Sequence, residues 1–198
     1  MVPQSLAWLA VLLVGGTATG MLLARDWRWS LGFMAAQYLG AAILASAHWP
    51  VGMAAAFLVA GWMSIAALGM TLTAAPPKNE MPEHSWPQGR LFRLFMAGMV
   101  FVLAAGLTAQ ADRLMPGIEG SVIAGSVLLV GIGFLQLGTT AQIARIIPGL
   151  LTLLAGFEVF YAAVEGSILV VGMLSTVMLG LGLVGAYLLS DSAPEGVA

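Results

Sequence analysis

Seven apolar stretches, each near the roughly 20 residues needed to cross a bilayer as a helix, constrain this chain more than any other feature. They fall at 4–24, 29–47, 51–73, 91–111, 120–141, 146–164 and 166–189. Their apolar residues run continuously rather than alternating, which excludes a β-barrel. Charged residues make up only 8% of the chain, against about 25% in soluble domains. Seven Lys+Arg and nine Asp+Glu cannot cover a water-facing surface. A soluble globular fold, a disordered tail and a nucleic-acid binder are therefore not expected. The expectation is an all-α integral membrane protein, a seven-transmembrane-helix bundle whose first partner is the lipid bilayer.

The chain reads as one membrane domain, 1–198, with no room for a soluble one. Residues 1–73 carry three helices and 74–90 a polar loop. Residues 91–141 carry two more helices, and 142–198 the last two with a short tail. No basic residue precedes the first apolar run, and Pro3 stands where a signal peptide carries charge, so the first helix is expected to stay in the mature protein. Pro50 suits a helix first turn, Pro76, Pro77, Pro82 and Pro87 keep the long loop non-helical, and Pro116-Gly117 reads as a turn. Arg145 and Pro148 are taken to open the sixth span. Trp27, Trp29, Trp49 and Trp86 stand at span edges, where amphipathic rings anchor to headgroups. No clear internal repeat and no mid-span proline pair is visible.

Charge sets the expected orientation. With seven spans, Arg25, Arg28, Lys78, Arg90, Arg93 and Arg145 share one side and only Arg113 lies on the other. Cytoplasmic loops collect Lys and Arg. The N-terminus is therefore expected outside and the C-terminus in the cytoplasm of a cell (inner) membrane.

One ionisable residue stands well inside a span: Glu158. A carboxylate at that depth is costly unless solvated or paired, and intramembrane acids mark proton relays by default. The bland alternative is a neutral acid bonded to a neighbouring backbone or hydroxyl group. Tyr161 and Glu165 follow at three and seven residues, on the same helix face. The three form a candidate relay stripe from mid-membrane to the outer surface, or else an interfacial tyrosine and a loop charge beside a packing acid. Gln37, Ser64, Gln136, Thr139, Thr140, Ser175 and Thr176 read as interhelical hydrogen-bonding groups. Glycines such as Gly16 and Gly20, Gly131, Gly133 and Gly138, and Gly180, Gly182 and Gly185 read as close-packing positions. No cysteine is present, and His48 and His84 have no partner at metal-ligand spacing, so no metal, redox cofactor or thiolate chemistry is expected of this chain.

Certain segments resemble a known family. Arg28-Trp29-Ser30-Leu31-Gly32-Phe33 with Gln37, then Ala56-Phe57, and above all Gln142-Ile143-Ala144-Arg145-Ile146-Ile147-Pro148-Gly149-Leu150 followed by Leu154-Ala155-Gly156-Phe157-Glu158, carry the likeness. They are similar to the E-type membrane component family of hydrogenase-4 and formate-hydrogenlyase-type complexes. In that family the last three spans resemble the small K-type membrane component of respiratory complex I. The resemblance implies that Glu158 takes the place of the family's first membrane glutamate. It also implies a subunit without catalysis of its own, lodged beside antiporter-like and other membrane subunits. The sequence departs from the family in its last span, which has no ionisable residue where an Asp or Glu often stands, and in its third span, which lacks a Lys. The other readings are an independent secondary transporter or channel and, third, an integral membrane enzyme.

Overall fold

A computed structural model describes residues 3–24, 26–74, 89–110, 113, 116–140 and 142–191. It contains seven helices among them: α1 (Gln4–Leu23), α2 (Trp27–Ala45), α3 (Val51–Ala74), α4 (Arg90–Ala109), α5 (Gly120–Thr139), α6 (Ile143–Val164) and α7 (Ile168–Asp191). Six are long and apolar enough to cross a membrane. The exception is α2, diluted by Arg28, Ser30 and Gln37, yet it lies between α1, α3 and α6. The chain is a multi-pass helical membrane protein.

The predicted spans hold, with ends moved by a few residues. The largest change is at α6, which begins at Ile143 and carries Pro148 inside the helix. Pro148 has no N–H to give to the fourth carbonyl before it, so one rung of the ladder is absent where the helix would otherwise continue unbroken. Gly117 takes φ +100 in the turn before α5, a conformation suited to glycine. The loop at 75–88, with its four prolines, Lys78, His84 and Trp86, lies outside the described residues, as do Arg25 and Asp112.

The helices form two layers of three. Within one layer α1 packs on α2 and α2 on α3; within the other, α5 packs on α6 and α6 on α7. Between layers α1 meets α5, α2 meets α6 and α3 meets α7. The remaining helix, α4, caps one end of the stack against α1 and α5.

The layers repeat one helix spacing and one set of crossings, contrary to the expectation of no repeat. α1 and α5 start 116 residues apart (4 and 120), as do α2 and α6 (27 and 143), and α3 and α7 start 117 apart (51 and 168). Val11-Leu12-Leu13-Val14-Gly15 recurs as Val127-Leu128-Leu129-Val130-Gly131, again 116 apart. The packing repeats with it. A Cβ added to Gly40 would meet Val14 and Leu13, and one added to Gly156 would meet their counterparts Val130 and Leu129. Gly69 lies against Leu31, and Gly185 against the equivalent Ile147. Gly15 and Gly131 admit α4 through Phe101 and Val100, neighbouring residues of that helix. Glycine at these crossings lets backbones approach closely where water supplies no driving force.

The relation between layers is a sideways shift, not a two-fold rotation. A two-fold would set α1 against α7 and α3 against α5, and neither pair makes substantial contact among the described residues. Not every glycine packs: Gly16, Gly138 and Gly180, read above as close-packing positions, have open space where a Cβ would stand.

Candidate functional site

The centre of the stack is the seam between α2 and α6, and it is polar. These helices run parallel, because their cross-bonds keep a nearly constant spacing. The Gln37 amide nitrogen donates to Thr152 Oγ1 at 3.1 Å, and the Tyr38 hydroxyl donates to the Leu151 carbonyl at 3.1 Å. Further along, the Trp49 indole N–H donates to the Glu165 carbonyl at 3.0 Å. Gln37, Tyr38, Thr152 and Glu158 each have 0% exposure.

Glu158 lies on α6 between the Tyr38 and Trp49 cross-bonds. Neither carboxyl oxygen has a hydrogen-bond partner among the described residues, nor has Gln37 Oε1. Each such group costs about 1–3 kcal/mol if it stays unsatisfied. A buried acid in that position therefore favours a bound water or a proton-exchanging neighbour. Its charge would be felt by the Tyr38 hydroxyl, which lies within electrostatic reach. Beyond Tyr38, α2 continues with the small side chains Ala41, Ala42 and Ala45, all buried.

The proposed stripe is assembled as a gradient of exposure. Glu158 is buried, Tyr161 half-buried and Glu165 exposed at the end of α6. Tyr161 interacts with the Glu165 carboxylate and meets the Trp49 ring edge-on at 6.4 Å. Phe157 stacks on its other side at 6.4 Å. Trp49 thus closes the Glu165 end of the seam. With 3% exposure it is a core residue and not a headgroup anchor, because its N–H finds a carbonyl inside the bundle. Trp29, at 66% exposure, fits the anchoring role.

Of the other polar groups expected to bond between helices, Ser64 does so, whereas Gln136 Oε1 and Ser175 Oγ are buried with no hydrogen-bond partner among the described residues. Ser64 Oγ donates across the layers to the Met178 carbonyl at 3.0 Å. Thr139 and Thr176 bond within their own helices. Arg93, buried at the start of α4, donates to the Leu22 carbonyl near the end of α1 at 3.4 Å. That contact brings two helix ends to one face and suits the negative end of the α1 dipole.

Sequence reasoning missed Tyr38, Thr152 and the buried role of Trp49. Two of these bond to backbone carbonyls, which leave no mark in a sequence. No group of three His, Cys, Asp or Glu side chains able to hold a metal occurs among the described residues. Comparison with protein-family models, with curated proteins and with solved structures finds no match.

Proposed function

We propose that this chain is a non-catalytic membrane-arm subunit of a complex I-like or energy-converting hydrogenase-type assembly, in which Glu158 serves proton translocation beside an antiporter-like subunit. The observation that carries this reading is Glu158 itself, a fully buried acid with both oxygens unpartnered among the described residues, set in a polar interlayer seam. Gln37, Tyr38 and Thr152 line the seam below it, and Tyr161 and Glu165 continue it to an exposed end. The family resemblance of the α6 sequence points the same way. In this reading the chain sits in a cell (inner) membrane with its N-terminus outside and its C-terminus in the cytoplasm. Arg28, Arg90, Arg93 and Arg145 then share the cytoplasmic side.

A second reading is an independent transporter. The internal repeat favours it, because parallel repeats build several transporter folds. Against it, the helices bearing the seam have no break at mid-membrane: α2 is continuous from 27 to 45, and the proline of α6 lies near its start.

Purification through a tag in mild detergent separates the two. The subunit reading predicts co-purification of antiporter-like membrane subunits. A lone, monodisperse chain that transports an ion or solute after reconstitution would support the second reading instead.

A further inference from the structure

The shifted, same-way-round stacking of the two layers leaves a face with a known counterpart. The first layer contacts the second through Tyr38, Leu44, Trp49, Ser64 and Leu68, which reach Leu151, Gly125, Glu165, Met178 and Gly185. Moving 116 residues along the chain, the same positions of the second layer are Leu154, Phe160, Glu165, Gly180 and Val184. None of these five is buried; they lie on the outer side of α6 and α7, where Phe157, Val177 and Val184 are 48%, 51% and 54% exposed. A two-fold arrangement would have used up both inner faces. A shifted one is open-ended and repeats its donor face on the last layer.

We propose that the outer face of α6 and α7 is the docking surface for a three-helix layer of a neighbouring membrane subunit, seated there as α5–α7 is seated on α1–α3. This rests on the reading of the chain as a subunit of a larger assembly. The occupant is argued from inside the molecule: the equivalent face of the first layer is covered by three parallel-stacked helices. It also has a chemistry. Position 49 crosses to the next layer through a side-chain bond, and its counterpart is Glu165, exposed at the end of α6 with its carboxylate beside Tyr161. The partner layer therefore carries a donor there, an Arg, Lys or indole N–H.

A second copy of this chain does not fit. It would have to offer the outer face of its own first layer, where the counterparts of Gly125 and Ala155 are Leu9 and Leu39. Gly125 is in direct contact with the Leu44 side chain, and Leu9 fills that space while pointing outward at 60% exposure.

Gly180→Leu tests the proposal, with Gly16→Leu and Gly98→Leu as controls on other faces. A Cβ at any of the three meets nothing within 4 Å, so all three variants are expected to fold, checked by an unchanged melting temperature of the isolated chain. The tagged full chain is purified from its native membranes, and a photo-crosslinking residue at Val184 reports what lies on the face. Gly180→Leu is expected to reduce the co-purified membrane subunits about tenfold or more, with both controls unchanged. The Val184 adduct should map to a three-helix stretch of a different subunit. If the wild-type chain recovers no membrane subunit, both this proposal and the subunit reading fail. If it recovers one that Gly180→Leu retains, or if Val184 crosslinks to lipid alone or to a second copy, the docking surface is wrong and the subunit reading stands.

Discussion

At the position where α6 carries Glu158, the first layer carries Ala42 on α2. The two residues occupy the same place in two copies of one three-helix scaffold. Around them the scaffold is conserved within the chain: Gly40 and Gly156 rest on Leu13-Val14 and Leu129-Val130, and Gly69 and Gly185 rest on Leu31 and Ile147. What differs is the polar content. The first layer contributes Gln37, Tyr38 and Trp49 to the seam, all reaching outward to the second. The second layer supplies Thr152, two backbone carbonyls and the one buried acid. The packing therefore recurs from layer to layer, while the buried acid stands on one layer only. A membrane carboxylate is costly, so a single acid facing a polar neighbour is easier to hold than two.

The largest difference expected between the layers is in their glycines. A Cβ on Gly156 would stand 2.8 Å from the Val130 backbone nitrogen, whereas the nearest atom to one on Gly40 is a Val14 methyl, also at 2.8 Å. Backbone cannot step aside as a side chain can. Gly156→Ala is expected to destabilise the chain by about 1–3 kcal/mol, the usual cost of overpacking. Gly40→Ala should cost less, since it crowds a Val14 methyl and, at 3.3 Å, the Ala10 carbonyl oxygen, and the roughly 1 kcal/mol gain in helix propensity offsets part of that. Thermal unfolding in detergent, followed by tryptophan fluorescence, measures both. Equal losses would mean that the two layers are packed alike and that the asymmetry is confined to Glu158.

A smaller effect is expected where the layers bond. Tyr38→Phe removes the hydroxyl that crosses to Leu151 and keeps the ring that fills the space over Gly61. Its loss should cost about 1 kcal/mol, read as a drop in melting temperature with no change in helix content. No measurable drop would show that the interlayer bond contributes nothing and that apolar packing alone holds the layers together.

The helices and Glu158 were legible in the sequence for a simple reason. A run of apolar residues has few meanings at this length, and one acid in such a run has fewer. The repeat was not, because lipid accepts any apolar side chain. Positions such as Leu9 and Gly125, or Trp62 and Met178, have drifted apart, and what stays matched is the five-residue run beginning at Val11, the pairs Gly40/Gly156 and Gly69/Gly185, and a few scattered residues such as Ser5/Ser121 and Leu58/Leu174. Gly16 and Gly180 show the converse, small residues in suggestive spacing that face open space. Tyr38 and the buried role of Trp49 were not legible because their partners are backbone carbonyls more than a hundred residues away. Trp49 in particular has the sequence position of a headgroup anchor and the burial of a core residue.

The central claim is that Glu158 exchanges protons rather than merely filling space, and Glu158→Gln in the intact complex tests it most directly. Glutamine keeps the shape and hydrogen-bonding capacity of the acid but cannot titrate. The measurement is proton translocation per electron transferred in vesicles, together with recovery of the assembled complex. The account predicts normal assembly and reduced translocation, with little change in the control Asp26→Asn, an exposed carboxylate outside the seam. Full translocation by the Glu158→Gln complex would contradict it and leave Glu158 as a structural acid in the seam between two layers.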